Sequence, residues 1–252
     1  MKKEKILIDY LPKKISRPLQ TVFENIIVKA RRKNMIALYK GFGVVAGDLV
    51  FDIGAYRGLI TDVLLSIGAK VVAVEPNPEM FASLQKKFQG NPDVVLLNMG
   101  VGKEECELEF HVNEKVPQSC TFSEEFITDS RYSLRKWEKT VKVPVTTLDA
   151  LIDKHGTPKY IKIDVEGYEW NVIQGLTRKV PCLTYEFHRE FMADTKKCAA
   201  HLAGLGKVSF NYNLELNYKS TSPDWLTLDA LFADLESREE ENLKGDIIVK
   251  ME

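Results

Sequence analysis

The chain has 252 residues, 44% of them hydrophobic and 28% charged, with a formal net charge of −1. That length suits one α/β domain with a sizeable core and a short appendage, and the composition is that of a soluble globular chain, not a disordered or fibrous one. No apolar run approaches the ~18 residues of a membrane span, and Met1 to Asp9 is too charged for a secretory signal. Cys106, Cys120, Cys182 and Cys198 lack C-x-x-C spacing, which argues against a metal cluster and for reduced thiols in a cytoplasmic protein.

The near-neutral total hides an asymmetry. Residues 1–40 hold eleven Lys/Arg against three Asp/Glu, a net +8, and the remainder carries −9. Val22, Phe23, Ile26, Ile27 and Ala30 recur at three- and four-residue spacing, which predicts one or two amphipathic helices over 18–38. Residues 1–40 therefore read as a basic helical extension and 41–252 as the main domain. A basic arm on an acidic body suits an anionic partner, although a solvated helix face explains the same charges.

From Leu49 the pattern becomes strands alternating with helices. Strands are expected at 49–53, 71–74 and 94–97, with helices at 59–67 and 78–88 between them. Further strands are expected at 105–112, 140–146, 160–163, 183–187, within 208–216, and at 246–250. Helices are expected from the Thr147 cap to 152, and at 167–175, 190–204 and 225–242. Residues 113–139 are polar and aperiodic, a loop with a short helix. Such alternation predicts a doubly wound, mostly parallel α/β sheet.

Asp52-Ile53-Gly54-Ala55-Tyr56-Arg57-Gly58 is a strand followed by a glycine turn, where the backbone approaches a ligand closely. Glu75 ends the next strand, placed to bind ribose hydroxyls. A nicotinamide fold uses the same logic, but its G-x-G-x-x-G needs glycine where Tyr56 stands. Asp52 would repel phosphates and suits a ligand bearing an amino group and a sulfonium.

Tyr160 to Ile163 reads as a buried strand delivering Asp164 and Glu166 to its carboxyl end, where ligands of open α/β sheets collect. If the extended geometry continues, both carboxylates share one face. Two acids in one pocket suit acid/base chemistry, whereas Glu166 and Glu169 could equally favour the start of the next helix. The local chemistry leaves both readings open. His188, after an apolar strand at the same edge, is the third catalytic candidate; His111, His155 and His201 read as structural or surface residues.

Thr146 to Leu151 and Ile161-Lys162-Ile163-Asp164-Val165-Glu166-Gly167-Tyr168-Glu169 resemble the most distinctive stretch of the FkbM-type methyltransferases. Val50 to Gly58 and Val74-Glu75-Pro76-Asn77 are similar to that family's first two cofactor motifs, and Asn98 to Val101 and Glu186-Phe187-His188 also fit. The resemblance covers about residues 45–190. It implies a seven-stranded sheet, S-adenosylmethionine as cofactor, and methyl transfer to an oxygen of a sugar, glycolipid or similar metabolite. It places Gly54, Gly58 and Glu75 on the cofactor, with Ala55, Tyr56, Pro76 and Asp164 in the same motifs and Asn98, Gly100 and Val101 near adenine. Tyr56 departs from the family's usual Asn.

Three other readings compete. A nucleic-acid amino-methyltransferase needs prolines that Asp164-Val165-Glu166-Gly167 lacks, so no nucleic-acid partner is expected. A metal-dependent O-methyltransferase would use Asp164 with further acids. A binding protein on the same fold would hold the cofactor without turnover. Ser119, Cys120 and Thr121 lie where a lid over the acceptor is expected.

Overall fold

A computed structural model describes residues 31–214 and 221–252. The expectations for residues 1–30, including the Val22–Ile27 stripe, lie outside the described residues. Residues 31–41 form helix α1, three residues beyond the expected end. Strands β1 (Leu49–Ile53), β2 (Lys70–Val74), β3 (Val94–Leu97), β7 (Tyr160–Ile163), β8 (Cys182–His188), β9 (Val208–Leu214) and β10 (Lys244–Met251) build a seven-stranded sheet in the order β3-β2-β1-β7-β8-β10-β9. The first five of these run parallel, while β10 lies antiparallel to both neighbours.

Helices α2 (Leu59–Ile67), α3 (Pro78–Lys87), α5 (Leu148–His155), α6 (Glu169–Gln174), α7 (Met192–Gly204) and α8 (Leu228–Ser237) punctuate the strands. Their ends follow local chemistry. Gly68 closes α2 in the left-handed conformation, and the Asn77 side chain accepts from the N–H groups of Glu79 and Met80 to open α3. Thr147 caps α5 through Ala150, and that helix runs on to His155. Helix α8 is shorter than expected, because the acidic stretch after Ser237 has no apolar side to bury.

Alternation along the strands divides the core. Phe51, Ile53, Val72 and Val74 face one layer, which includes Val172, Ile173 and Leu202, and Val50, Val71 and Ala73 face the other. Helix α1 covers the second layer with Met35 and Tyr39, and the Tyr39 ring lies 5.4 Å from that of Tyr160.

The stretches 105–112 and 140–146 form a feature the strand pattern did not assign. Strands β5 (Cys106–Val112) and β6 (Lys139–Thr146) pair antiparallel, and β4 (Gly100–Val101) joins β6 as a separate three-stranded sheet. Between β5 and β6 the chain makes one 3-10 turn, Pro117–Ser119, and the short helix α4, Glu124–Thr128.

Candidate functional site

Chain order reverses between β1 and β7, so the two adjacent strands send their following helices to opposite faces and leave a crevice at their carboxyl ends. A cavity of about 470 Å³ opens there, within the usual range of cofactor sites. Of the expected residues, Gly54, Tyr56, Glu75, Pro76, Gly100, Val101, Asp164 and Glu166 line it.

Gly54 sits at φ 84°, and a Cβ on it would stand 1.9 Å from the Asp164 carbonyl oxygen. Only glycine lets the two strand ends approach so closely. Gly58 serves packing instead: a Cβ there would meet the Phe88 ring at 2.6 Å, so it seats the start of α2 against α3.

Glu75 is buried, and its carboxylate accepts from the N–H groups of Tyr56 at 2.6 Å and Asn77 at 2.9 Å. Burial pushes its pKa up to about 7 against the pull of those two donors. The donors leave the carboxylate lone pairs for a ligand's hydroxyls. Asn98 braces this corner without lining the cavity, donating to the carbonyls of Glu75 and Pro76 at 2.9 and 3.2 Å. A carboxylate for ribose, apolar Met99, Val101 and Phe122 for a base, and acids at Asp164 and Glu166 make a donor set that fits an adenosyl sulfonium.

Asp52 and Ala55 are buried and do not line the cavity. The Asp52 carboxylate instead accepts from the Thr61 hydroxyl at 2.5 Å and faces the buried ammonium of Lys162. Lys162 also donates to Asp164 Oδ2 at 2.6 Å. Burial opposes its charge, but Asp164, Asp52 and Asp246 outweigh burial and hold its pKa above the ordinary lysine value. Asp52 is thus built into the floor under the site.

The extended geometry expected to carry Asp164 and Glu166 on one face stops at Ile163. Glu166 adopts φ 54°, and Gly167 follows at 90°. Among the described residues, Tyr56 and Glu166 are the non-glycine residues at positive φ, and both line the cavity. Each such conformation costs on the order of 1–3 kcal/mol and persists only where its surroundings enforce it. Here Glu169 supplies part of the enforcement, its buried carboxylate accepting from the N–H groups of Val165 at 3.0 Å and Gly167 at 3.1 Å. Burial, with Glu186 adding, raises the Glu169 pKa to about 8.

His188 lies outside the large cavity, in a smaller recess with Glu169 and Glu186. Its Nε2 is 3.2 Å from Glu186 Oε2. Burial lowers its pKa, but Glu186, Glu166 and Glu169 outweigh that and push it to about 9. The expected lid is a wall of the site: Pro117, Gln118, Cys120 and Phe122 all line the cavity. The Cys120 thiol, raised by burial to about 11, accepts from the Asn113 N–H at 3.2 Å and is no nucleophile at neutral pH. Ser119 and Thr121 are buried.

The basic arm was expected to cover the crevice and draw in an anionic acceptor; sequence reasoning missed Arg57 and Lys87 as parts of the same wall. Arg31, Arg32, Arg57 and Lys87 line the cavity. The Arg31–Lys33 run was visible as charge, but its position depends on how α1 docks. Arg32 pairs with Asp62, and Lys87 donates to the Gly58 carbonyl at 2.7 Å.

Residues 52–195 match the methyltransferase FkbM domain family. Hexuronic acid methyltransferase AglP of Haloferax volcanii is 26% identical over 141 residues, 55% of this chain and 54% of that protein. A chloroplastic ribosomal RNA small subunit methyltransferase of Arabidopsis thaliana is 33% identical over 69 residues, 27% of this chain and 20% of that protein. The chain therefore spans about half the length of the first relative and a fifth of the second. Among solved structures, magnesium protoporphyrin IX methyltransferase from Synechocystis with bound SAM superposes with TM-score 0.47 and 10% identity, covering 100% of this chain and 98% of that one. Precorrin-6y C5,15-methyltransferase from Geobacter metallireducens gives 0.46 and 9%, over 88% and 87%.

Proposed function

Because the chain belongs to the methyltransferase FkbM domain family, whose members use S-adenosylmethionine, we propose that it methylates an oxygen of an acidic, hydroxylated acceptor of the sugar or glycolipid class. One observation carries this reading: the same cavity is lined by Glu166, an acid on a strained backbone, and by the cationic residues Arg31, Arg57 and Lys87. A hydroxyl acceptor needs a group to orient it and take its proton, and an acidic acceptor needs positive charge nearby. The similarity to a hexuronic acid methyltransferase supports an acceptor of this kind.

When bound, S-adenosylmethionine would supply an electrophilic methyl carbon with a neutral thioether as its leaving group. Glu75, Gly54 and the apolar wall near Val101 would hold it. Asp164, fixed by Lys162, shapes the floor between donor and acceptor. Glu166 faces the acceptor and takes the hydroxyl proton, with Glu186 and His188 behind it. Holding the acceptor in line is the larger task, for orientation supplies up to ~7–11 kcal/mol and a base typically ~10²–10⁴-fold.

The test is transfer of labelled methyl onto matched hexuronic-acid and neutral glycosides, read by mass spectrometry before and after mild alkali. Base-stable label on the acidic glycosides is the expected result. Label on nitrogen, or equal labelling of neutral glycosides, overturns the reading; base-labile label moves the acceptor atom from hydroxyl to carboxylate oxygen.

A further inference from the structure

Glu166, Glu186 and His188 come from two places in the chain, the turn after β7 and the end of β8. One donor atom from each lies within 4.8 Å of the other two. Three donors held about 2.1 Å from a common ion stand on average no more than about 3.6 Å apart, so shifts of up to about 1 Å close the set. Glu186 and His188 are buried and Glu166 is half-buried, and Glu166 alone of the three reaches the large cavity.

The His188 ring is 2% exposed, yet neither nitrogen makes an aligned hydrogen bond. Nε2 stands 3.2 Å from Glu186 Oε2 out of alignment, and Nδ1 has no hydrogen-bond partner. A buried polar ring left in this state calls for an explanation. The ring is also held firmly in place. Phe126, Tyr132 and Phe191 meet it edge-on, at 6.1, 6.0 and 6.2 Å between centroids. Two carboxylates and an imidazole converge on one small volume, with Glu169 as a third carboxylate acting on the same ring. Buried charge of this kind is stabilised by pairing or by a metal.

We propose that Glu166, Glu186 and His188 form a binding site for a divalent first-row metal cation, Mn²⁺ or Zn²⁺, at the acceptor edge of the cavity. Two oxygens and one imidazole nitrogen are a donor set for such ions, and three protein ligands leave positions open. The Glu169 carboxylate, bonded to the N–H groups that flank Glu166, holds the ligand loop in place as outer-shell partners of metal ligands do. Resting on the oxygen-methylation reading, the cation's task is to take the acceptor oxygen into an open position and make its proton more acidic. The O–H bond then breaks, the proton passes to the non-ligating oxygen of Glu166, and the oxygen keeps the pair that forms its bond to the methyl carbon. The ligand is Glu166 and not Asp164, whose carboxylate is engaged by Lys162.

The experiment is a Mn²⁺ titration of the full chain after dialysis against EDTA and then metal-free buffer. Uptake is followed by the paramagnetic resonance signal of free Mn²⁺, with Zn²⁺ as competitor. Wild type takes up about one equivalent, and Zn²⁺ displaces it. Glu166→Gln, at a half-exposed position, weakens uptake roughly ten-fold or more. His188→Gln does the same, provided its near-ultraviolet circular dichroism shows a folded chain. Asp164→Asn stays close to wild type in uptake. No uptake by wild type, or uptake undiminished in Glu166→Gln, overturns the site and leaves Glu186 and His188 as an ion pair. The two readings fail separately. Hydroxyl methylation that persists in EDTA removes the cation and keeps the proposed function, whereas uptake with methyl delivered to nitrogen keeps the site and removes the function.

Discussion

Thr121, in the lid between β5 and β6, donates its hydroxyl to the main-chain carbonyl of Glu166 at 2.8 Å, 45 residues further along the chain. That bond joins the wall over the cavity to Glu166, in the turn that follows β7, where the backbone is strained. The same hydroxyl accepts from the Ser123 N–H at 2.9 Å, which fixes its direction. Thr121→Val keeps the shape and removes both bonds, at a stability cost of about 1–2 kcal/mol. With Glu166 released, turnover falls by about ten-fold or more, while calorimetry finds S-adenosylhomocysteine affinity close to wild type. Equal losses in turnover and affinity would make the bond general scaffolding.

The left-handed backbone at Glu166 sets stability against function. Glycine adopts φ 54° freely, so Glu166→Gly relieves the strain and loses the carboxylate together. Relief of about 1–3 kcal/mol is partly offset by the greater freedom of glycine in the unfolded chain, ~0.4–1 kcal/mol. The expected outcome is a melting temperature at or above wild type with turnover reduced by at least ~10²-fold. Glu166→Gln keeps the strain and should show the loss of turnover without the gain. A clear fall in melting temperature for the glycine variant would mean that the Glu166 side chain holds the loop together.

The strand-helix alternation was legible because each element obeys a local rule: the Asn77 and Thr147 caps, Gly68 after α2, and short runs at 50–53 and 160–163 that are apolar except for Asp52 and Lys162. Glu75 and Gly54 were legible for the same reason, since strand ends place them. Three features were not. The second sheet depends on β4, two residues long, pairing with β6 more than forty residues away, a contact no local pattern encodes. Helix α1 brings Arg31 to the cavity only because Met35 and Tyr39 bury against the sheet face around Tyr160. Asp52 looked like a ligand contact because the acid before a glycine turn is visible and Lys162, its buried counter-charge 110 residues on, is not visibly its neighbour.

Glu75 makes cofactor affinity depend on pH. Burial holds its carboxyl at about 7, well above the ordinary carboxylate, so below that pH it is protonated in the free protein. A protonated carboxyl has lost acceptor capacity for a ligand's hydroxyls, and binding then includes the cost of ionising it. The raised value means the protonated form is the more stable one when folded, so Glu75's contribution to stability is fullest below its unfolded value near 4.5 and is lost as pH rises through 7. Ligand affinity runs the opposite way. S-adenosylhomocysteine should bind about ten-fold more tightly at pH 8 than at pH 6, the ratio of ionised fractions for a group titrating near 7. Glu75→Gln should bind weakly and flatten the profile. A slope unchanged in that variant assigns the pH dependence to another group.

The basic wall predicts a salt-dependent Michaelis constant. Arg31 and Arg57 line the cavity, and Lys33, two residues from Arg31, is exposed and does not. Arg31 stands one turn from Met35 on the same face of helix α1, and Met35 lines the cavity too, so the melting temperature of a variant with both arginines reversed reports whether the packing of that helix survives. Attraction of an acidic acceptor across several ångströms weakens with salt, because the Debye length falls from about 10 Å at 0.1 M to about 3 Å at 1 M. The double variant Arg31→Glu/Arg57→Glu should therefore raise the acceptor KM several-fold at 0.1 M, roughly 1 kcal/mol of lost attraction, and converge on wild type at 1 M. Lys33→Glu changes the net charge in the same direction away from the wall, and should move KM much less. A matched neutral acceptor isolates the effect from any general damage, since its KM has no charge to lose. Arg57 also lies over the Tyr56 ring, 5.2 Å from its centroid, and losing that contact costs about 0.5–1 kcal/mol of stability at any salt. A KM shift that is the same for both acceptors and at both salt concentrations would reduce these arginines to scaffolding for the Tyr56 turn.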